Sequence, residues 1–370
     1  MIALVPRPEA SRVMVYLSPV IALAATVLSG LVLFTIMNFD FASGTFVGNP
    51  FDPLVNFFYT PLTGRNGLTN LALKATPLVL IAIGLAMCYR ANVWNIGAEG
   101  QFTLGAIAGT GVALAFWGTD SPLVLPAMIV AAMAGGLVWA AIPAFLKTRF
   151  NASELLVSLM LVYVATQILF YLVIGPWKDP EGLAFPQTRS FHDAARIPTL
   201  WEGIRVNYGS TLALLAVFGG WLVMGRSLLG FQIKVAGTAP RAARFAGFSE
   251  RRTIWLVLMI SGALAGLSGI VEVAGTAHQL GQVISPGYGF TAIIVAFLGR
   301  LNPIGILFAG LVMALSFLGS DTVQITDKLP HAIGSLFQGV LLFFLLGTDV
   351  LIAYRIVWRR RKFVQPELSH

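Results

Sequence analysis

Apolar residues in this chain fall in runs long enough to cross a bilayer, which takes about 20 mostly apolar residues in a helix. Such runs lie at 13–37, 68–89, 101–118, 123–146, 155–175, 209–225, 253–275 and 332–354, and a longer, interrupted one spans 288–319. Inside the last, Phe297-Leu298-Gly299-Arg300-Leu301-Asn302-Pro303 supplies a polar break, with Pro303 placed to open a new helix. The pattern predicts an all-α, polytopic membrane protein with about ten transmembrane helices over residues 1–370. One of them, 288–299, is too short for a full crossing and reads as a short or re-entrant segment.

Composition agrees with that picture. Hydrophobic residues make up 57% of the chain and charged ones 11%, against roughly 25% charged in soluble domains. A cytosolic enzyme and the disordered and fibrous classes are thereby excluded. The single cysteine, Cys88, allows no intrachain disulfide and no cysteine metal cluster. A net charge of +8 would suggest nucleic acid in a soluble protein. In a membrane protein basic residues instead mark the cytoplasmic side, so lipid and not nucleic acid is the expected neighbour. With ten spans and both termini inside, only Arg65, Lys74, Lys178, Arg189, Arg196, Arg205 and Lys328 fall outside, out of 24 Lys and Arg. A single crossing at 288–319 would set Arg359, Arg360, Arg361 and Lys362 opposite Arg7 and Arg12, which the same rule disfavours. The first apolar run follows Arg7 and Arg12 but lacks a small-x-small cleavage site, so it reads as a retained helix and not a signal peptide.

Two loops carry information. The outer one, 176–208, balances its charges and reads as a solvated cap. The inner one, 226–252, holds Arg226, Lys234, Arg241, Arg244, Arg251 and Arg252 against Glu250 alone. Within it, residues 239–247 read as a short helix with Pro240 in its first turn and Gly247 as its stop. Arg241 and Arg244 share one face, and Ala242 and Phe245 form a small apolar one. Such a helix fits either a protein contact or anionic headgroups. The chain has no phosphate-cradling glycine loop followed by Lys and Ser or Thr, so any ATP use must belong to a partner chain.

A few polar residues interrupt the apolar runs. Glu99 and Gln101 sit at a helix start near the inner face, which suits capping or a gate contact. Glu272 lies toward the outer end of its helix and either faces a translocation path or pairs with a residue of another helix. Gln167 and Gln338 fit interhelical hydrogen bonds as well as ligand contacts. These five are the candidate path or gate residues. Gly105/Gly109 and Gly262/Gly266 have the spacing of close helix packing. His278 and His331 stand alone, and no metal site is expected.

Five segments, taken in order, resemble one family. They are Asn95-Ile96-Gly97-Ala98-Glu99-Gly100-Gln101; residues 153–161, from Ser153 to Leu161; residues 237–247, from Gly237 to Gly247; residues 261–269, from Ser261 to Gly269; and residues 289–303, from Gly289 to Pro303. Together they are similar to the permease subunits of ABC importers for simple sugars and nucleosides, a branched-chain amino acid permease-like family. Ser153, Val157, Ala239 and Phe245 depart from the family's usual residues, as does the long outer loop. The resemblance implies a non-enzymatic membrane subunit paired with a second permease, identical or homologous. It also implies cytoplasmic ATPase subunits that hold ATP and Mg, and an external binding protein or lipoprotein that delivers cargo. On this view Pro240, Arg241, Ala243, Arg244, Phe245 and Gly247 couple to the ATPase. The competing class, a stand-alone secondary transporter for a small polar solute, would have no need of the basic 226–252 loop.

Overall fold

The computed structural model describes residues 2–7, 11–37, 39–40, 45–46, 49, 51–182, 185–201, 203–330 and 332–358. Glu202, His331 and the basic cluster Arg359, Arg360, Arg361 and Lys362 lie outside the described residues. The helices are α1 (Arg12–Met37), α2 (Asp52–Phe58), α3 (Thr60–Thr63), α4 (Gly67–Arg90), α5 (Ala98–Ala115), α6 (Val124–Phe150) and α7 (Glu154–Ile174). They continue as α8 (Tyr208–Arg226), α9 (Leu228–Thr238), α10 (Pro240–Phe245), α11 (Glu250–Glu272), α12 (Tyr288–Leu298), α13 (Pro303–Thr326) and α14 (Ala332–Ala353).

Among the described residues eight helices are long and apolar enough to cross a membrane: α1, α4, α6, α7, α8, α11 with the π-helical turn that extends it, α13 and α14. Two of the ten expected segments differ. With the polar Glu99 and Gln101 in its first turns, α5 falls outside that set. With 11 residues, α12 is about 16 Å long, half the hydrocarbon thickness. The break after α12 is built as its sequence suggests. Arg300 and Leu301 turn through the left-handed region at φ 57° and 53°, and Asn302 Oδ1 accepts from Ile304 N at 3.0 Å, so that α13 opens at Pro303.

Clustering of the chain gives two units. The larger, residues 57–322, is centred on α4 and α11, whose most apolar windows are 78% and 67% buried, against 28% for α6, α7 and α8. Glycine permits the approach of α5, α6 and α11: a Cβ on Gly105 would strike the Gly266 backbone, and one on Gly262 would fall 2.5 Å from the Gly136 carbonyl. The turn from α6 to α7 shows how local chemistry fixes a corner. Asn151 adopts φ 53° beyond the last turn of α6, Ser153 Oγ accepts from Leu156 N, and Lys147 near the end of α6 meets Glu154 in the first turn of α7 at 3.0 Å.

The smaller unit joins residues 1–56 to 323–370. In it α1 and α14 pack together, with the Phe34 and Phe337 ring centroids 5.8 Å apart and Ser18 Oγ donating to Asp349 at 2.8 Å. The strand β1 (Ile2–Pro6) pairs antiparallel with a strand at Tyr354–Trp358.

Candidate functional site

The 95–101 segment is a closed knot of hydrogen bonds. Asn95 Oδ1 accepts from Gly97 N and Gln101 Nε2, while Asn95 Nδ2 donates to Gln101 Oε1 at 2.9 Å and to Ser261 Oγ of α11 at 3.0 Å. Ile96 N donates to Ser158 Oγ of α7. The amides of Asn95 and Gln101 thus satisfy each other in the interior, where unpaired groups would be costly. Gln101 is 1% exposed and Asn95 fully buried, so the pair ties α5, α7 and α11 to the segment between α4 and α5.

Glu99, also buried, reaches another helix: its carboxylate accepts from Gly289 N at 2.6 Å, in the first turn of α12. A carboxylate there answers the free N–H groups and the positive end of the short helix. The next residue back in the chain, Tyr288, is fully buried, and its hydroxyl joins two side chains of opposite charge. Lys74 Nζ of α4 donates to Tyr288 Oη at 2.9 Å, and Tyr288 Oη donates to Glu272 Oε1 of α11 at 3.3 Å. Of the two roles its sequence position left open, Glu272 takes the interhelical link. It is linked to residues of other helices, and it lines a cavity of about 380 Å³ with Lys74, Tyr288, Gln279, Val283 and Ile284.

The 176–208 loop packs against residues 278–280, which adjoin that cavity, and is partly buried where a solvated cap was expected. Phe191, Ala195, Ile197 and Thr188 are buried. Thr188 N donates to the Leu280 carbonyl at 2.9 Å, Phe191 N to that of His278 at 2.8 Å, and Gln279 Nε2 to Gln187 Oε1 at 3.0 Å. The α11 helix ends in a π-helical turn at Val273–Ala277, and His278 closes it at φ 56°. A π-turn of this kind re-aims the chain at functional sites. Here it carries the backbone from Glu272 round the cavity wall.

The second candidate region lies at the opposite ends of the same helices. Along α11, Glu250 and Glu272 are separated by roughly 33 Å. There α9 and α10 form a bent pair. The close crossing of α9 over the end of α4 needs Gly237, where a Cβ would strike the Arg90 carbonyl. Pro240 opens α10, and Gly247 leaves it at φ 79°. Ala243 is 4% exposed and anchors α10 to its own chain. Around it Arg241, Ala242 and Arg244 are exposed, and Phe245 presents 94% of its surface. Arg244 meets Glu250 at 3.3 Å, both largely exposed.

The remaining path candidates fall elsewhere. Gln167 sits on the exposed face of α7, and Gln338 is buried in α14 of the smaller unit. Lys74 and Tyr288 escaped sequence reasoning. Lys74 counted as an outer charge and Tyr288 as part of an apolar run, and they stand 214 residues apart. Their signal was a lone lysine well inside a run of apolar residues.

Eight membrane-length helices, a half-open cavity bearing Lys74 and Glu272 at one end of α4 and α11, and an exposed basic helix pair at the other describe a multi-pass membrane protein. The chain belongs to the family described as the permease component of branched-chain amino acid transport systems, whose profile matches residues 67–346. It is 35% identical over 363 residues to the glucose ABC transporter permease protein TsgB13 of Haloferax volcanii, covering 95% of this chain and 92% of that one. To the guanosine ABC transporter permease protein NupP of Bacillus subtilis it is 30% identical, over 74% of this chain and 79% of that one. The nucleoside ABC transporter permease protein NupB of Lactococcus lactis is 28% identical, over 79% and 85%. The chain is thus an ABC transporter permease subunit, and permease subunits of this family are not themselves enzymes.

Proposed function

We propose that this chain is the membrane-spanning subunit of an ABC importer for nucleosides or simple sugars, with its termini and α10 on the cytoplasmic side. A second permease, identical or homologous, completes the membrane part. A cytoplasmic ATPase binds ATP and Mg and docks on α10 through Arg241, Ala242, Arg244 and Phe245. An external binding protein or lipoprotein delivers the cargo. The observation that carries this reading is α10 itself: an aromatic ring left 94% exposed on a basic helix that one buried alanine holds in place. A protein partner can bury such a ring as an anchor, beside the arginines that flank it. The relatives' cargoes, glucose in one and guanosine or nucleosides in others, support the substrate class.

The test has two arms. Copurification should recover an ATPase and a binding protein, and the complex in proteoliposomes should take up guanosine or glucose only with ATP inside the compartment that α10 faces. Uptake that ignores ATP and follows an ion gradient would overturn the reading in favour of a secondary transporter. Orientation is read in a Cys88→Ala background, where an impermeant thiol reagent applied to intact cells should label Phe185→Cys, exposed in the outer loop, and spare Phe245→Cys.

A further inference from the structure

We propose that the chamber between α4, α11 and α12 is a cargo-binding site that recognises a neutral vicinal diol, the fragment that a hexose and a ribonucleoside have in common. This rests on the importer reading above. Lys74 and Glu272 carry opposite charges into one cavity of about 380 Å³, a size in the range of small-molecule sites. The two charges meet only through the Tyr288 hydroxyl, at 2.9 and 3.3 Å. Among the described residues that hydroxyl is the one hydrogen-bond partner of each, so the ammonium keeps two N–H donors and the carboxylate keeps its second oxygen for something else.

The missing partner must accept from Lys74 and donate to Glu272 within a few ångströms. A ligand of single charge satisfies one group and opposes the other, and the cargoes named for the relatives, glucose and guanosine, are not zwitterions. Adjacent hydroxyls satisfy both, because each O–H is donor and acceptor at once. Gln279 adds an amide at the rim, and Val283 and Ile284 supply an apolar wall for the C–H face of a sugar ring. Tyr288 acts as a positioning residue. Fully buried, it fixes the spacing of the two charges while Glu99 holds the start of its helix.

The test uses the permease and ATPase complex in nanodiscs without the binding protein, so that any discrimination belongs to the membrane part. Saturation-transfer NMR is run with millimolar methyl β-ribofuranoside and its 2-deoxy analogue. The expected result is transfer to the ring protons next to the diol, at least fivefold weaker for the 2-deoxy compound and at least fivefold weaker in Glu272→Gln. If Glu272→Gln fails to fold, Val283→Trp decides. Val283 is 82% exposed, lines the cavity and takes no part in the hydrogen bonds that join the charged groups, so a tryptophan there crowds the chamber and leaves the helices packed. Absence of transfer in the wild type, or equal transfer in wild type and Val283→Trp, overturns the proposal. Proteoliposome uptake separates the two readings: transport of guanosine or glucose without chamber signal sinks only the chamber, and chamber signal without ATP-driven transport sinks only the importer.

Discussion

Two segments carry the chain's most distinctive sequences, and the structure treats them in opposite ways. Residues 95–101 are drawn into the interior, where Asn95, Gln101 and Ser261 close a network in which each side chain is answered. Residues 239–247 stay at the surface, where Ala243 is the one buried residue and Phe245 and two arginines turn outward. Packing accounts for the first segment completely, since changing any member strands a buried polar group. Packing accounts for almost nothing in the second. A specific sequence that the fold does not require is one whose requirement lies in another molecule, and this contrast is the physical ground for placing a partner on α10.

The contrast breaks most visibly in the interior. Gly266→Leu would drive a side chain into the backbones of Ala132 and Gly136, where α11 meets α6 without intervening side chains. Overpacking of this kind costs about 3 kcal/mol or more, because no neighbouring rotamer can yield. The expected outcome is loss of the monodisperse, folded species in detergent. A variant with wild-type thermal stability would mean that the α6–α11 approach is looser than described.

A smaller loss is expected from Asn95→Leu, which leaves the Gln101 amide and the Gly97 N–H without their partner, at about 1–3 kcal/mol for each stranded group. The double variant Asn95→Leu/Gln101→Leu should recover part of that loss, since removing both partners is milder than removing one. A thermal-unfolding cycle measures the coupling. Strictly additive effects would show that the two amides do not act as a pair.

These two changes also mark how far the sequence could be read. The membrane-length helices of the larger unit were legible, because a membrane-spanning run states its own length, and Pro303 and Gly247 stand where chain chemistry demands a start and a stop. The surface character of α10 followed from its arginines. The chamber was not legible, because Lys74, Glu272 and Tyr288 lie on three separate helices and apolar runs carry no record of which faces meet. Nor was α9, whose 11 residues are too few to span a membrane and fall within the basic inner loop, yet pack Gly230 against α8 and Gly237 against α4. The antiparallel pairing of Ile2–Pro6 with Tyr354–Trp358 joins segments at opposite ends of the chain, beyond any local pattern.

In the surface segment the order of effects reverses, with stability hardly moved and coupling lost. Ala243→Glu replaces the single buried anchor of α10 by a charge. Because α10 is a single short helix on the exterior, it should lift off locally and leave the bundle intact. Hydrogen exchange should quicken at residues 240–248 with an unchanged thermal midpoint, and ATP-driven uptake should fall at least tenfold. Normal uptake at normal abundance would remove α10 from the ATPase contact. Gly247→Val acts alike, since a β-branched residue at φ 79° costs about 1–2 kcal/mol and unsettles the end of the helix.

The smallest change in stability is expected from Arg244→Gln. Its ion pair with Glu250, 3.3 Å long, has side chains 68% and 59% exposed, and such pairs contribute about 0.2–1 kcal/mol at most. If the pair serves only the fold, the variant should be indistinguishable from wild type in every assay. If α10 meets an ATPase, burial of the contact removes the water that screens Arg244, and a charge worth little in the free subunit then matters to the complex. Affinity of the detergent-solubilised permease for its ATPase should therefore fall at least fivefold in Arg244→Gln, with the thermal midpoint unmoved. Arg241→Gln, exposed on the same short helix, should behave alike. Lys234→Gln on α9 serves as the control and should keep most of the affinity. Equal losses in all three would mean that general positive charge, and not the surface of α10, attracts the partner.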